Sequence, residues 1–483
     1  MTSFLIALAV LIVGYFIYGY IVDRIIATDA KQPMPAYTMR DNVDFVPMAT
    51  WKVFLIQFLN IAGLGPIFGA IMGIMFGPAA FLWIVFGTIF GGAVHDFLSG
   101  VISIRMNGAS LPEIIGSELG RTVKQVMRVF SILLLILVGA NFVVNPAAII
   151  ANLFDPTTGS IFTNPLFWVG LIFIYYILAT LLPIDKLIGQ LYPLFGFALL
   201  FMALGIMGYM IFGDVTIPDG FADGLYNRHP KGDSMPIFPM MFVSIACGAI
   251  SGFHATQSPM MARCLKNEKL ARPIFFGAMV AEGIVALIWA AATIAFIGSY
   301  DAIGDFKPAV LVNDISKSWL GTFGGILAIL GVVAAPITTG DTALRSARLI
   351  AADIFHVKQN KIVKRLMISL PIFVITFLFL LIDYSALWRY FAWSNQTLAV
   401  FTLMAISAYL ARHRRNYIVA LIPALFMTVV CVTYILFSPE GLQLDYTFSL
   451  SVAIGVAILL LFLFVRDVLM IKRHDGPERN REQ

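Results

Sequence analysis

Long apolar stretches alternate along the chain with short polar loops that hold nearly all of the Lys, Arg, Asp and Glu. An α-helix needs about 20 apolar residues to cross a hydrocarbon core roughly 30 Å thick. The pattern therefore predicts a polytopic, all-α integral membrane protein. About 13 transmembrane helices are expected, near 3–22, 51–76, 79–104, 123–153, 164–182, 186–212, 237–262, 271–298, 318–346, 364–382, 385–411, 416–437 and 447–470. The first has no positive n-region and no small-residue cleavage site, and Tyr15, Tyr18 and Tyr20 read as an interface belt. It is expected to be retained rather than removed as a signal peptide. Residues 111–120 predict a cytoplasmic surface helix, with Ser110 as its cap and Pro112 in its first turn.

Two spans are interrupted. The second reads IQFLNIAGLGPIFGAIMG, with Gly63, Gly65 and Pro66 in its middle; the seventh reads FVSIACGAISGFHATQSPM, with Gly248, Ser251, Gly252 and Pro259 at comparable depth. Pro removes a backbone donor and Gly lowers the cost of non-helical dihedrals. In hydrocarbon, irregular backbone survives only inside protein or along a wet cavity. The two spans enter from opposite sides, and five spans separate their starts. That pattern predicts a five-plus-five inverted repeat, with the substrate site of a transporter at the two breaks. The expected divisions are an extra N-terminal helix and cytoplasmic loop (1–50), a first five-helix repeat (51–212) and an extracytoplasmic loop (213–236). A second repeat (237–415), two C-terminal helices (416–472) and a cytoplasmic tail (473–483) follow.

Charge orients the spans. Basic loops carry Arg105, Arg121, Lys124 and Arg128; then Arg263, Lys266, Lys269 and Arg272; then Arg345, Arg348, Lys358, Lys361, Lys364 and Arg365; then Arg412, Arg414 and Arg415. They alternate with loops holding Asp155; Asp214, Asp219 and Asp223; Asp301 and Asp305; Asp383; and Glu440 with Asp445. The positive-inside rule places the basic loops and the C-terminus in the cytoplasm and the N-terminus outside, in a bacterial-type inner membrane. Of the 483 residues, 60% are hydrophobic and 12% charged, too few charges to cover a water-soluble surface. The net charge of +5 resides in topological loops, so no nucleic-acid partner is implied. Cys247, Cys264 and Cys431 are widely spaced and read as small buried residues, with neither a disulfide framework nor a zinc site.

Ionisable residues inside spans are costly to bury and are functional candidates. His95 and Asp96 are adjacent in FGGAVHDFLSG, with Ser99 one turn beyond His95 and Asp96 about 100° around the helix. They read either as a proton relay or gate, or as a packing pair tied to Arg105. Glu282 is a deep, unaccompanied carboxylate that joins the relay reading. His254 and Gln257 lie one turn apart just after the second break, beside freed backbone groups that suit an anionic or zwitterionic solute. With Asn60, Gly63, Gly65, Ser251 and Gly252 at the breaks, and Asn141 and Asn145 in the fourth span, they form the candidate substrate site. Asn395 and Gln396 line the pathway or act as interhelical glue. Thr338 and Thr339, on a helix loosened by Pro336 and Gly340, are candidate sodium ligands together with the backbone of Asn60 and Gly63. The alternative has them capping helix carbonyls, with Asp341 paired to Arg345. No cofactor is expected beyond a coupling ion, proton or sodium.

Taken together, NIAGLGPIFG, GGAVHDFLSGVISIRMNGASLPEIIG and ACGAISGFHATQSPMMARC closely resemble the carbon starvation protein A family from about Trp51 to Arg415. The family is similar in topology to amino acid–polyamine–organocation transporters, with a LeuT-like inverted repeat. The resemblance implies ion-coupled uptake of peptides or small carboxylates such as pyruvate when preferred carbon is scarce. By position it carries over to Gly63, Gly65, Pro66, His95, Asp96, Gly248, Ser251, His254, Thr338 and Thr339. Longer members extend beyond this chain at the C-terminus, and carry histidines where this sequence has Ile56, Gln57 and Phe58. The expected function is a secondary transporter of a small solute, not an enzyme. No ATP-binding P-loop, HExxH or GxSxG occurs. The rival readings are a nutrient sensor without flux and an intramembrane enzyme using His95, Asp96 and Ser99.

Overall fold

The computed structural model describes residues 1–151, 154, 159–181, 184–222, 224–304, 308–359, 361–381 and 384–470. Asp155, Asp223, Asp305 and Asp383 of the acidic loops, and the tail 473–483, lie outside the described residues. Every regular element among the described residues is helical.

α1 (Thr2–Ile26) buries only Phe4, Leu11, Gly19, Val22 and Ile26, one narrow stripe, and turns Ile6, Val13, Phe16 and Ile17 outward. It is a peripheral helix with an apolar outer face, as lipid contact requires. The broken elements lie at the centre. α2 (Thr50–Ile61) and α3 (Gly65–Ile74) are bent by 45° across Ala62–Leu64. α4 (Ala79–Arg105) carries a π-helical stretch at Gly87–Gly92. The surface helix α5 (Leu111–Leu119), α6 (Arg121–Ala151), α7 (Pro165–Leu181) and α8 (Ile184–Phe212) follow. The second half opens with a short helical piece, α9 (237–244), then irregular backbone to Phe253, then α10 (His254–Ala262), all nine residues of which are buried. α11 (Glu268–Ile297), α12 (Pro308–Ala328), α13 (Ala334–Phe355), α14 (Ile362–Phe379) and α15 (Tyr384–Arg412) continue it, and α16 (Ile418–Phe437) and α17 (Tyr446–Phe464) end the described chain.

Among the described residues, eight helices are long and apolar enough to cross a membrane, or ten if each bent pair is one span. The expected spans 164–182, 237–262 and 385–411 fall short of that standard because they are short, interrupted and polar respectively. The expected span 318–346 is also redrawn. Helix starts earlier, at Pro308, is broken at Gly321 (φ +62°), and runs to Phe355 after a 56° bend. Asn313, Asp314, Ser316 and Lys317 lower the hydropathy there and disguise helix as loop. α5 forms where expected with Pro112 in its first turn, but the Ser110 hydroxyl makes no capping bond. The three cysteines are buried thiols.

Candidate functional site

The two breaks face each other. A Cβ on Gly65 would overlap the side chain of Cys247, and one on Gly69 would lie 2.9 Å from the Ser244 carbonyl oxygen. Glycine here lets α3 approach the backbone of α9 and the irregular segment 245–253. The freed backbone groups are partnered by neighbouring spans. Thr88, in the π stretch of α4, donates to the Gly248 carbonyl at 3.1 Å. Asn395 of α15 accepts from the Gly252 amide through its main-chain oxygen at 3.0 Å. Its Oδ1 accepts from the Phe253 amide at 2.6 Å and the Ser251 hydroxyl at 3.0 Å. Gln396 donates to the Phe242 carbonyl at 2.7 Å. Both α15 amides therefore clamp the interrupted helix, which is the glue reading of the two.

A line of titratable groups lies against this clamp. His95 Nδ1 and Asp96 Oδ1 are 2.8 Å apart; His254 Nδ1 lies 3.2 Å from Asp96 Oδ2, and His254 Nε2 lies 3.6 Å from Glu282 Oε2. All four side chains have 0% exposure. The line joins α4, the first turn of α10 and α11. Three sequence expectations are corrected here. Glu282 is accompanied, by His254. Asp96, though about 100° from His95 around the helix, folds back to bond it, because adjacent side chains converge over short spans. Arg105 pairs instead with Glu268, at 2.8 Å. Ser99 donates to the Asp96 carbonyl at 3.1 Å, an ordinary back-bond within the helix.

Buried amides surround the breaks. Neither polar side-chain atom of Asn60 has a hydrogen-bond partner among the described residues. Gln57 donates to the Ser258 hydroxyl and Gln257 to Ser346, both at 3.3 Å, and each leaves its Oε1 unpartnered. Asn141 donates to the Leu137 carbonyl at 2.9 Å, leaving Oδ1 unpartnered, as is Nδ2 of Asn145. Thr339 Oγ1 lies 3.0 Å from the Leu59 carbonyl oxygen and 2.9 Å from that of Ala335, and Thr338 Oγ1 lies 2.7 Å from the Ala335 oxygen. Thr339 thus meets the end of α2, and a Cβ on Gly63 would lie 3.1 Å from its hydroxyl.

A cavity of about 150 Å³ reaches the breaks from the acidic-loop face, bounded by Gly65, Gly69, Ser244 and Cys247 below and by Tyr434 and Glu440 above. On the basic-loop face a separate cavity of about 470 Å³ is lined by Asp44, Lys124, Arg128 and Arg263, and it does not include the residues of the breaks. Asp44, two residues before the amide of Val46 and ahead of α2, holds Arg345 at 3.3 Å and Arg348 at 3.2 Å, both fully buried on α13. Burial alone would raise the Asp44 pKa, but Arg348, Arg345 and Arg263 hold it below its ordinary 3.8. Sequence reasoning overlooked Asp44, Thr88 and the clamp by Asn395. Only Asp44 left a signal, an acidic residue in a loop on the basic face.

Interrupted helices meeting face to face, with titratable side chains sealed beside them, define a membrane protein of the LeuT-like inverted-repeat class. Residues 1–165, 147–318 and 308–434 match carbon starvation protein CstA, and the chain belongs to that family. A Haemophilus influenzae membrane protein is 43% identical over 63% of this chain and 94% of its own length. Two functionally named relatives are each 28% identical. The Bacillus subtilis peptide transporter CstA matches over 59% of this chain and 57% of its own length. The Escherichia coli pyruvate/proton symporter BtsT matches over 58% and 47%. The chain thus spans about half the length of these two. Among solved structures, MhsT in complex with L-phenylalanine superposes with a TM-score of 0.55 at 17% identity, covering 86% of this chain and 98% of that one. The Eremococcus coleocola manganese transporter gives 0.51 at 14%, covering 88% and 95%. These named relatives and neighbours are transporters, not enzymes.

Proposed function

We propose that the chain is a proton-coupled secondary transporter that imports a small carboxylate or peptide across the bacterial inner membrane during carbon starvation. The observation that carries this is the sealed line His95–Asp96–His254–Glu282 beside the seventh-span break. It holds two carboxylates and two imidazoles, and the ion pairs that link them involve neither Lys nor Arg. Buried charge without a counter-ion is costly, so loading and unloading of protons is the natural chemistry of such a group. A protonated His254 carries a proton on each ring nitrogen, Nδ1 at 3.2 Å from Asp96 and Nε2 at 3.6 Å from Glu282, and its charge draws α4, α10 and α11 together. A neutral ring donates through one nitrogen only. Protonation thereby changes how tightly α10 is held, and α10 begins where the irregular segment ends.

The solute would occupy the region of the facing breaks, where Asn60, Gly63, Gly65, Ser251, Gly252 and Gln257 lie, with Asn141 and Asn145 on the neighbouring α6. The relatives named for peptides and for pyruvate with protons support this substrate range. With the basic face inside, the cavity that reaches the breaks opens outward and the Asp44 pairs fasten the cytoplasmic side.

A second reading is sodium coupling at Thr339, where three oxygens (Thr339 Oγ1 and the Leu59 and Ala335 carbonyls) converge. The test is uptake of labelled pyruvate and dipeptides into vesicles under a proton gradient, with and without sodium. Proton-driven accumulation supports the first reading, and dependence on sodium that Thr338→Val with Thr339→Val abolishes supports the second. Binding without accumulation under either gradient would identify a sensor instead.

A further inference from the structure

A groove of about 910 Å³ runs along the outer surface between α1, α2, α8 and α11. Tyr15, Trp51, Phe54 and Phe197 form its walls and Gly277 lies at its base; no charged residue lines it. It follows helices that carry apolar outer faces, so its natural occupant is hydrocarbon rather than a water-soluble ligand. At one end the chemistry changes. Lys52 sits over the Trp51 ring at 5.5 Å and Arg272 over the Tyr15 ring at 5.8 Å. Neither cation is paired with a carboxylate among the described residues, and the first turn of α2 holds no acidic side chain. This end belongs to the face that carries the basic loops, since the Met48 amide, just ahead of α2, donates to the Cys264 carbonyl at 3.1 Å.

We propose that the groove binds an anionic phospholipid of the bilayer, with an acyl chain lying against Trp51, Phe54 and Phe197 and its phosphate within reach of Lys52 and Arg272. A zwitterionic lipid fills the groove equally well but offers the two cations no net negative charge. Selectivity therefore resides in the headgroup, and affinity in the chain. The aromatic rings beneath the two cations fix their height at the interface, where Trp and Tyr are at home.

The experiment uses the full chain purified in detergent and titrated with phosphatidylglycerol, phosphatidylcholine or inorganic phosphate. Native mass spectrometry counts bound lipid and a melting curve reads stabilisation. Phosphatidylglycerol is expected to bind roughly thirtyfold more tightly than phosphatidylcholine, about fivefold per cation. Lys52→Gln with Arg272→Gln should level the two lipids. Ala281→Phe, which keeps both cations but fills the groove, should weaken both lipids together. Equal binding of the two lipids by the native chain, or a preference that survives the double substitution, would overturn the proposal. So would stabilisation by inorganic phosphate equal to that by phosphatidylglycerol, which would make the ligand a free anion. Undiminished lipid binding by Ala281→Phe would also contradict it.

Discussion

His254 is the residue of the buried line whose two partners both lie on helices other than its own, Asp96 on α4 and Glu282 on α11. Its value lies in having two nitrogens that both donate only when the ring is charged. His254→Gln keeps a polar side chain but cannot switch its donor count with pH. Proton-driven uptake should fall about tenfold or more while the protein still folds, measured as the initial rate in vesicles against the melting midpoint. Gly65 makes a different demand, since a single methyl there meets Cys247. Gly65→Ala should destabilise by about 1–3 kcal/mol, as overpacking does, and Cys247→Gly in the same chain should recover most of it. A calorimetric midpoint unchanged by Gly65→Ala would refute the close approach. Each of the four ionisable residues stood out in the sequence as polar chemistry in an apolar segment. Their meeting did not, because three helices far apart in the chain bring them together and no local spacing encodes that.

At the scale of elements, the two broken helices depend on groups outside themselves. Asn395 accepts from the Phe253 amide and the Ser251 hydroxyl. Asn395→Ala leaves both donors buried and unpaired, at a cost of roughly 1–3 kcal/mol each. The irregular segment 245–253 should then loosen, seen as faster amide exchange there with α6 and α13 unaffected. Exchange that speeds up uniformly would instead mean general unfolding. The breaks themselves were plain in the sequence, because Gly and Pro punctuate otherwise apolar runs. The clamp was not: Asn395 in a polar stretch of α15 looks like any interhelical amide until the segment it holds is seen. The helix from Pro308 was hidden for the opposite reason, since its polar face mimics a loop.

For the whole molecule, the cavity that reaches the breaks opens to one face, and on the other face buried ion pairs fasten the chain. Asp44 ties the segment ahead of α2 to Arg345 and Arg348 on α13. Asp44→Asn removes the carboxylate that Arg345 and Arg348 share, a loss of about 3–5 kcal/mol to the fastened arrangement. Cys264, whose thiol burial pushes up to about 12, lies with its Sγ 3.9 Å from the Asp44 carbonyl oxygen. It should become reactive toward an impermeant maleimide applied from the basic face, in a chain lacking Cys247 and Cys431. Unchanged labelling would mean that Asp44 is no fastening. The Asp44 carboxyl titrates below 3.8 in the folded chain. Its contribution is therefore complete above that value and is lost as pH falls through the lower folded pKa. Acid melting curves of the native chain and Asp44→Asn should be fully separated above about pH 3.8 and converge only as pH falls through the lower folded pKa.

The proton line is tested most directly by an internal pH dye in vesicles containing the purified chain, with pyruvate or a dipeptide added outside. The native chain should acidify the lumen as solute enters. Glu282→Gln should abolish acidification while solute exchange across the membrane continues. Solute entry without acidification in the native chain, or undiminished acidification in Glu282→Gln, would contradict a proton carried by His254 and Glu282.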